Sequence, residues 1–238
     1  MNIFVKQNEQ KTSLLGLCRC EKMPNFNELI IMKDNYIINI GRQLGSGGRQ
    51  IGQLLSKRLS VSFYDKELIA LASKQSGLKK EVFEEADEKK RFTLTGGLLG
   101  HKASSLDGEF SSNYLWNEML FKIQSDVILD LASKKSCIFV GRCADYILRD
   151  HPRTLNVFIT AELDDRVTRV KDLFGLPDKK ALDLIEKTDK KRAGYYNYYS
   201  NKQWGAAESY DLCVNSSVLG IEATTDFIVE FLERKLQG

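Results

Sequence analysis

Gly41, Gly45, Gly47 and Gly48 fall within eight positions, and Arg42, Ser46, Arg49 and Gln50 stand among or just after them. Without Cβ atoms a backbone can curl so that successive N–H groups point inward, and a helix that follows adds its positive N-terminal end. The chemistry open to such a stretch is the capture of phosphates. The spacing departs from the phosphate-loop pattern G-x-x-x-x-G-K-[ST], because five residues separate Gly41 from Gly47 and no lysine follows. Arg49 is the nearest cation to the missing lysine, with Arg42 the next place to look. A plain tight connection in an α/β protein would use the same glycines. A second group of chemistry-bearing residues lies far along the chain. Arg166 and Arg169, three residues apart, share a helix face, as do Asp189 and Arg192, and tyrosines crowd residues 195–199. A solvated basic helix would look similar, but cations and tyrosines inserted between two core strands suit a lid that closes over phosphates.

The elements that must position these residues can be read from periodicity. Tyr36, Ile37, Ile38 and Ile40 predict a buried strand before the glycines, and Ile51, Leu54, Leu55 and Leu59 a helix after them. Val61–Asp65 predicts a second strand, with Asp65 capping a helix that buries Leu68, Ile69 and Leu71. A charged helical stretch is expected over 79–90, and residues 91–112 have little pattern. Leu115, Leu120, Ile123, Val127, Ile128 and Leu131 mark a long amphipathic helix over 112–134. Cys137–Val140, Thr154–Thr160 and Tyr210–Val214 complete five strands that alternate with helices, which predicts a parallel sheet in three layers. Arg142 follows the third strand directly, at the edge where open α/β sheets bind ligands. Residues 1–33 lack a clean period and are expected to be an appendage to a domain over 34–238.

Composition narrows the classes. The 238 residues are 42% hydrophobic and 28% charged, with a net charge of +3, far from the basic excess expected of a nucleic-acid polymer binder. No apolar run is long enough for a membrane span or a signal peptide, and a cytoplasmic location is expected. The five cysteines are scattered, and with only His101 and His151 as imidazoles a metal site is not expected.

Val140-Gly141-Arg142-Cys143-Ala144-Asp145, followed by Phe158-Ile159-Thr160-Ala161-Glu162-Leu163-Asp164-Asp165-Arg166 and on to Arg169, resembles the cytidylate kinase-like branch of the phosphate-loop nucleoside monophosphate kinases. That family runs through a Gly-Arg-Asp turn, a strand ending in Thr-Ala and a helix with two arginines. Asp189-x-x-Arg192 resembles its lid pattern. The likeness covers nearly all of residues 34–238. It implies a phosphate-loop kinase fold with a helical acceptor-side insertion at 66–112 and a lid at 175–207. It also implies ATP-dependent phosphoryl transfer with Mg²⁺ to a nucleoside monophosphate, CMP or dCMP being the best match. The resemblance places the donor phosphates on Gly41, Gly45, Ser46, Gly47, Gly48, Arg49 and Gln50. It assigns the acceptor to Asp65, Arg142 and Asp189, and the charge-neutralising roles to Arg49, Arg166, Arg169 and Arg192. There are departures. Cys143 stands where the turn has aspartate, Lys66 and Glu67 where classical members have Thr-Gly, and Leu71 where they have arginine. Another small acceptor, or a nucleotide-binding module without catalysis, are the rival readings, and the oligomeric state is not legible.

Overall fold

The computed structural model describes residues 35–65 and 106–237. The expected appendage and most of the 66–112 insertion, with Lys66, Glu67 and Leu71, lie outside the described residues. Five parallel strands form one sheet: β1 (Ile37–Arg42), β2 (Ser62–Tyr64), β3 (Cys137–Val140), β4 (Thr154–Thr160) and β5 (Leu212–Asn215), in the order β2-β3-β1-β4-β5. The helices are α1 (Gly48–Leu59), α2 (Leu106–Lys134), a short α3 (Ala144–Ile147), α4 (Leu163–Phe174), α5 (Asp178–Ser200) and α6 (Ser216–Gln237). Each expected strand is present. The long helix begins at Leu106, upstream of where the apolar period starts, and one unbroken 23-residue helix runs through the expected lid region.

Alternation along the strands builds the layers, since neighbouring side chains point to opposite faces of a sheet. Ile38, Ile40, Ile138, Val140, Leu155, Val157 and Ile159 face one side, where Ile51 and Leu55 of α1 and Ile228 and Leu232 of α6 cover them. Ile37, Cys137 and Phe139 face the other, under Ile128 and Ala132 of α2 and Ala144 of α3. Strands buried on both faces read as continuous apolar runs, as Cys137–Val140 does. Helices α4 and α5 close on each other through Val170, Ala181 and Ile185, with Leu44 of the glycine loop packed against that cluster.

Strand β1 is central, and the chain departs from it to β3 and β2 on one side and to β4 and β5 on the other. A crevice opens at such a reversal, outside the carboxyl ends of the strands. Ile40 pairs with both Val140 and Val157, so β3 ends opposite Ile40 while β1 and β4 run on two and three residues, and the turns after all three leave from the same edge of the sheet.

Candidate active site

Beyond β1 the glycine loop runs from Arg42 into α1, and its backbone is held from outside. Arg192 donates to the Arg42 carbonyl at 3.0 Å, Arg166 Nε to that of Leu44 at 2.8 Å and Arg169 to that of Gly45 at 3.0 Å. Asp189 accepts the Leu44 N–H at 2.8 Å and forms an ion pair with Arg166. Ser216 Oγ donates to the Ser46 carbonyl at 2.7 Å, and Ser46 Oγ to that of Gln43 at 2.9 Å. The loop carbonyls, which would repel an anion, are thereby engaged by guanidiniums and hydroxyls. The N–H groups of Gly47, Gly48 and Gln50 donate to no partner among the described residues, and they sit at the cap and first turn of the helix as its open donors. Two positions require glycine. Gly45 has φ 80° and a Cβ there would lie 2.6 Å from the Arg166 carbonyl oxygen, while at Gly47, with φ 76°, it would lie 2.2 Å from Ile221 Cδ1.

Beside the loop, between the ends of β1 and β3 and the flank of α5, lies a cavity of about 330 Å³. Its wall carries the cations Arg42, Arg142, Lys191 and Arg192, the aromatic residues Tyr195, Tyr196, Trp204 and Tyr210, and the polar groups of Asn39, Asp145 and Thr188. Four cations against one carboxylate make it a place for an anion. Burial, then the neighbouring Arg192 and Arg142, push the Arg42 guanidinium down to about 9, still charged at neutral pH. Burial also lowers Arg192. Arg142 lies over the Tyr195 ring, 5.7 Å from its centre. Asp145 accepts the Tyr196 hydroxyl at 2.6 Å, and burial raises its pKa. Asn39 donates to Asn156 at 2.9 Å, but its own Oδ1 is buried without a partner among the described residues. That acceptor is available to an uncharged part of a ligand.

The turn after β3 is unusual in its backbone. Gly141, Arg142 and Cys143 follow one another with φ of 81°, 63° and 54°, the left-handed region that non-glycine residues rarely occupy. That path lifts Arg142 to the cavity wall. Cys143 is buried, and burial pushes its thiol up to about 12, so the group that replaces the expected aspartate is neutral.

The expected site residues divide by place. The loop glycines, Ser46, Arg166, Arg169, Asp189 and Arg192 are brought together around the glycine loop, and Arg142 joins Arg192 in the cavity. Arg49 turns the other way: its Nε and second guanidinium nitrogen donate to Asp65 Oδ2 at 2.9 and 2.7 Å. Asp65, 5% exposed at its side chain, is thus held by Arg49, which is 59% exposed. Arg166 is likewise committed, buried at 7% exposure between Leu44 and Asp189, so contact with a phosphate there would require those bonds to exchange. Asn39, Asp145 and Tyr210 are site residues that the sequence did not single out, while Tyr195 and Tyr196 stood out only as members of the tyrosine cluster. Asn39 carried a signal, a polar residue inside the apolar run Ile38-Asn39-Ile40.

Among the described residues no cluster of histidine, cysteine and acidic side chains could hold a metal alone. Magnesium that travels with nucleotide phosphates needs only one or two protein oxygens, and the exposed Gln50 carboxamide at the start of α1 is compatible with that small share.

Residues 37–218 match the cytidylate kinase-like family. A crystal structure of an uncharacterized protein from Eubacterium ventriosum superposes with a TM-score of 0.63 at 27% identity, over 84% of this chain and 99% of that one. Shikimate kinase from Bacteroides thetaiotaomicron aligns at 18% identity with a TM-score of 0.46, over 83% of this chain and 98% of its own. Shikimate kinase from Acinetobacter baumannii, in complex with shikimate, aligns at 12% identity with a TM-score of 0.47, over 87% and 97%. No curated protein matches the chain.

Proposed function

The chain belongs to the cytidylate kinase-like family, a group of phosphate-loop kinases, and on that premise we propose that it transfers the γ-phosphoryl group of ATP to a nucleoside monophosphate, CMP or dCMP. The observation that carries this reading is the anion cavity with Arg42, Arg142 and Arg192 in its wall, adjoining a loop whose N–H groups face outward from a helix start.

In this reading the first-turn N–H groups of α1 hold the donor phosphates. Arg142 and Lys191 grip the acceptor phosphate, and Tyr195, Asn39 and Tyr210 surround the rest of the acceptor. An oxygen of the acceptor phosphate forms the new P–O bond while the bond from the γ-phosphorus to the β–γ bridging oxygen breaks, its electron pair leaving with ADP. A phosphate dianion brings no proton that must be removed, so no general base is needed, and catalysis is in-line placement and neutralisation of charge. Magnesium, when bound with ATP, neutralises the β and γ oxygens. Arg166, Arg169, Asp189 and Arg192 fix the loop, and helix α5, which carries Asp189 and Arg192, is placed to couple acceptor entry to loop geometry.

The neutral Cys143 thiol, where the family turn has aspartate, favours as a second reading a small acceptor that does not need that carboxylate. A coupled assay of ADP release across CMP, dCMP, UMP, AMP and GMP tests both. Release that depends on CMP or dCMP supports the first, and release with none of the five turns the reading to another acceptor or to a binding module.

A further inference from the structure

A phosphate loop ordinarily carries a lysine in the first turn of its helix, reaching back to the β and γ phosphates. Here two registers are open, placing Gly48 or Arg49 at that position, and the structure explains why neither side chain fills the space. A Cβ added at Gly48 would lie 2.6 Å from Arg42 Cβ, 3.1 Å from its Cγ and 3.4 Å from Ile159 Cβ. The volume where a lysine stem would start is taken by the stem of Arg42. At the other end of the same side chain, a Cβ at Gly141 would lie 2.1 Å from an Arg42 guanidinium nitrogen. Two glycines from two different turns therefore make room for one arginine, which runs from the glycine loop across the cavity floor to the turn after β3. Arg49, in contrast, is drawn to Asp65.

The Arg42 guanidinium makes no hydrogen bond or ion pair with any described residue; only its backbone carbonyl is engaged, by Arg192. Asp65 and Asp189 act on it from a distance, while Arg192 and Arg142 repel it. A half-buried cation in a cavity wall, with no contacting carboxylate and two other arginines near it, is offset best by an anion that joins it. We infer that Arg42, from the end of β1, supplies the positive charge that phosphate loops place on the helix lysine, and that it sits between the donor γ-phosphoryl group and the acceptor phosphate. This rests on the phosphoryl-transfer reading above. Arg42 keeps its protons throughout and acts by charge on the oxygens of the group in flight.

The test uses the full chain and two readouts, calorimetric titration with ATP and with ADP, and turnover with the accepted monophosphate. Arg42→Met keeps the stem against Gly48 and drops the charge. It is expected to weaken ATP at least tenfold, to leave ADP within about threefold, and to lower kcat on the order of a hundredfold. Gly48→Lys alone has no room and is expected to recover nothing. Combined with Arg42→Gly, which clears Cβ and Cγ, it is expected to restore at least tenfold in ATP affinity and in kcat. If Arg42→Met does not fold, Arg42→Lys decides, with an intermediate ATP-to-ADP ratio in support and a wild-type ratio and kcat against. A wild-type ratio and turnover in Arg42→Met, or loss of the ATP preference in Arg49→Ala instead, overturns the assignment. Should the wild-type chain turn over no monophosphate, the phosphoryl-transfer reading falls while the two titrations still decide whether Arg42 reads the terminal phosphate.

Discussion

Replacing Asp189 with alanine removes one carboxylate that does three jobs. It faces the buried Arg166 in an ion pair, it accepts the Leu44 N–H at 2.8 Å, and it stands 3.8 Å from Arg192. Breaking a fully buried ion pair from one side costs about 3–5 kcal/mol, because the remaining charge is left without a partner. The two side chains here are 8% and 16% exposed, which places the loss toward the lower end. The orphaned Leu44 N–H adds roughly 1 kcal/mol. The sum, about 3–5 kcal/mol, corresponds in a chain of this size to a fall of roughly 6–20 °C in Tm. Asp189→Asn keeps an acceptor for Leu44 and loses only the charge, so its Tm is expected between those of Asp189→Ala and the wild type. Calorimetry in low and high salt is the assay, and the loss should persist in salt because the pair is shielded from solvent. A melting temperature for Asp189→Ala within about 2 °C of wild type would refute the argument that this carboxylate locks the loop.

Three further outcomes follow from the same geometry. Gly47→Ala places a Cβ 2.2 Å from Ile221 Cδ1 at φ 76° and is expected to destabilise the fold; the cost is about 2–4 kcal/mol from left-handed strain and overpacking, measured by urea unfolding, and Ile221→Ala should return only the overpacking part. Arg142→Ala is expected to raise the acceptor KM about tenfold to a hundredfold with little change in ATP affinity, and an unchanged KM for every accepted monophosphate would take Arg142 out of the site. Burial raises the Asp145 pKa above the roughly 3.9 of an unfolded aspartate, so the folded chain holds that proton more tightly and this group's contribution to stability falls as pH rises through the window between the two values. Asp145→Asn is therefore expected to be at least as stable as wild type at pH 7, with an advantage that shrinks on acidification; a pH-independent loss of stability in unfolding experiments would contradict this.

The sheet was legible because its strands are apolar on both faces. Runs such as Cys137–Val140 announce themselves, and the five strands appear where the pattern put them. The glycine loop was legible as well, since positive φ at Gly45 and Gly47 is a demand only glycine meets easily. Side-chain direction was harder to read. Arg49 and Arg42 are both arginines beside the loop in sequence, and only tertiary placement shows that Asp65 draws one outward while Gly48 and Gly141 make space for the other. The tyrosines of α5 were visible as a cluster, but helix phase alone does not tell that Tyr195 and Tyr196 reach the cavity while Tyr198 is exposed. The pairing of Arg166 with Asp189 joins residues 23 apart on two helices whose crossing no local pattern fixes.

The most direct measurement of the central claim follows the phosphoryl group itself. Intact protein is incubated with ATP labelled on the γ-phosphorus, Mg²⁺ and CMP, and the products are separated. Transfer of label into CDP, in step with ADP formation and lost when CMP is omitted, is the expected result. Label appearing only in inorganic phosphate, or remaining in ATP with CMP, dCMP and the other monophosphates alike, would contradict the account.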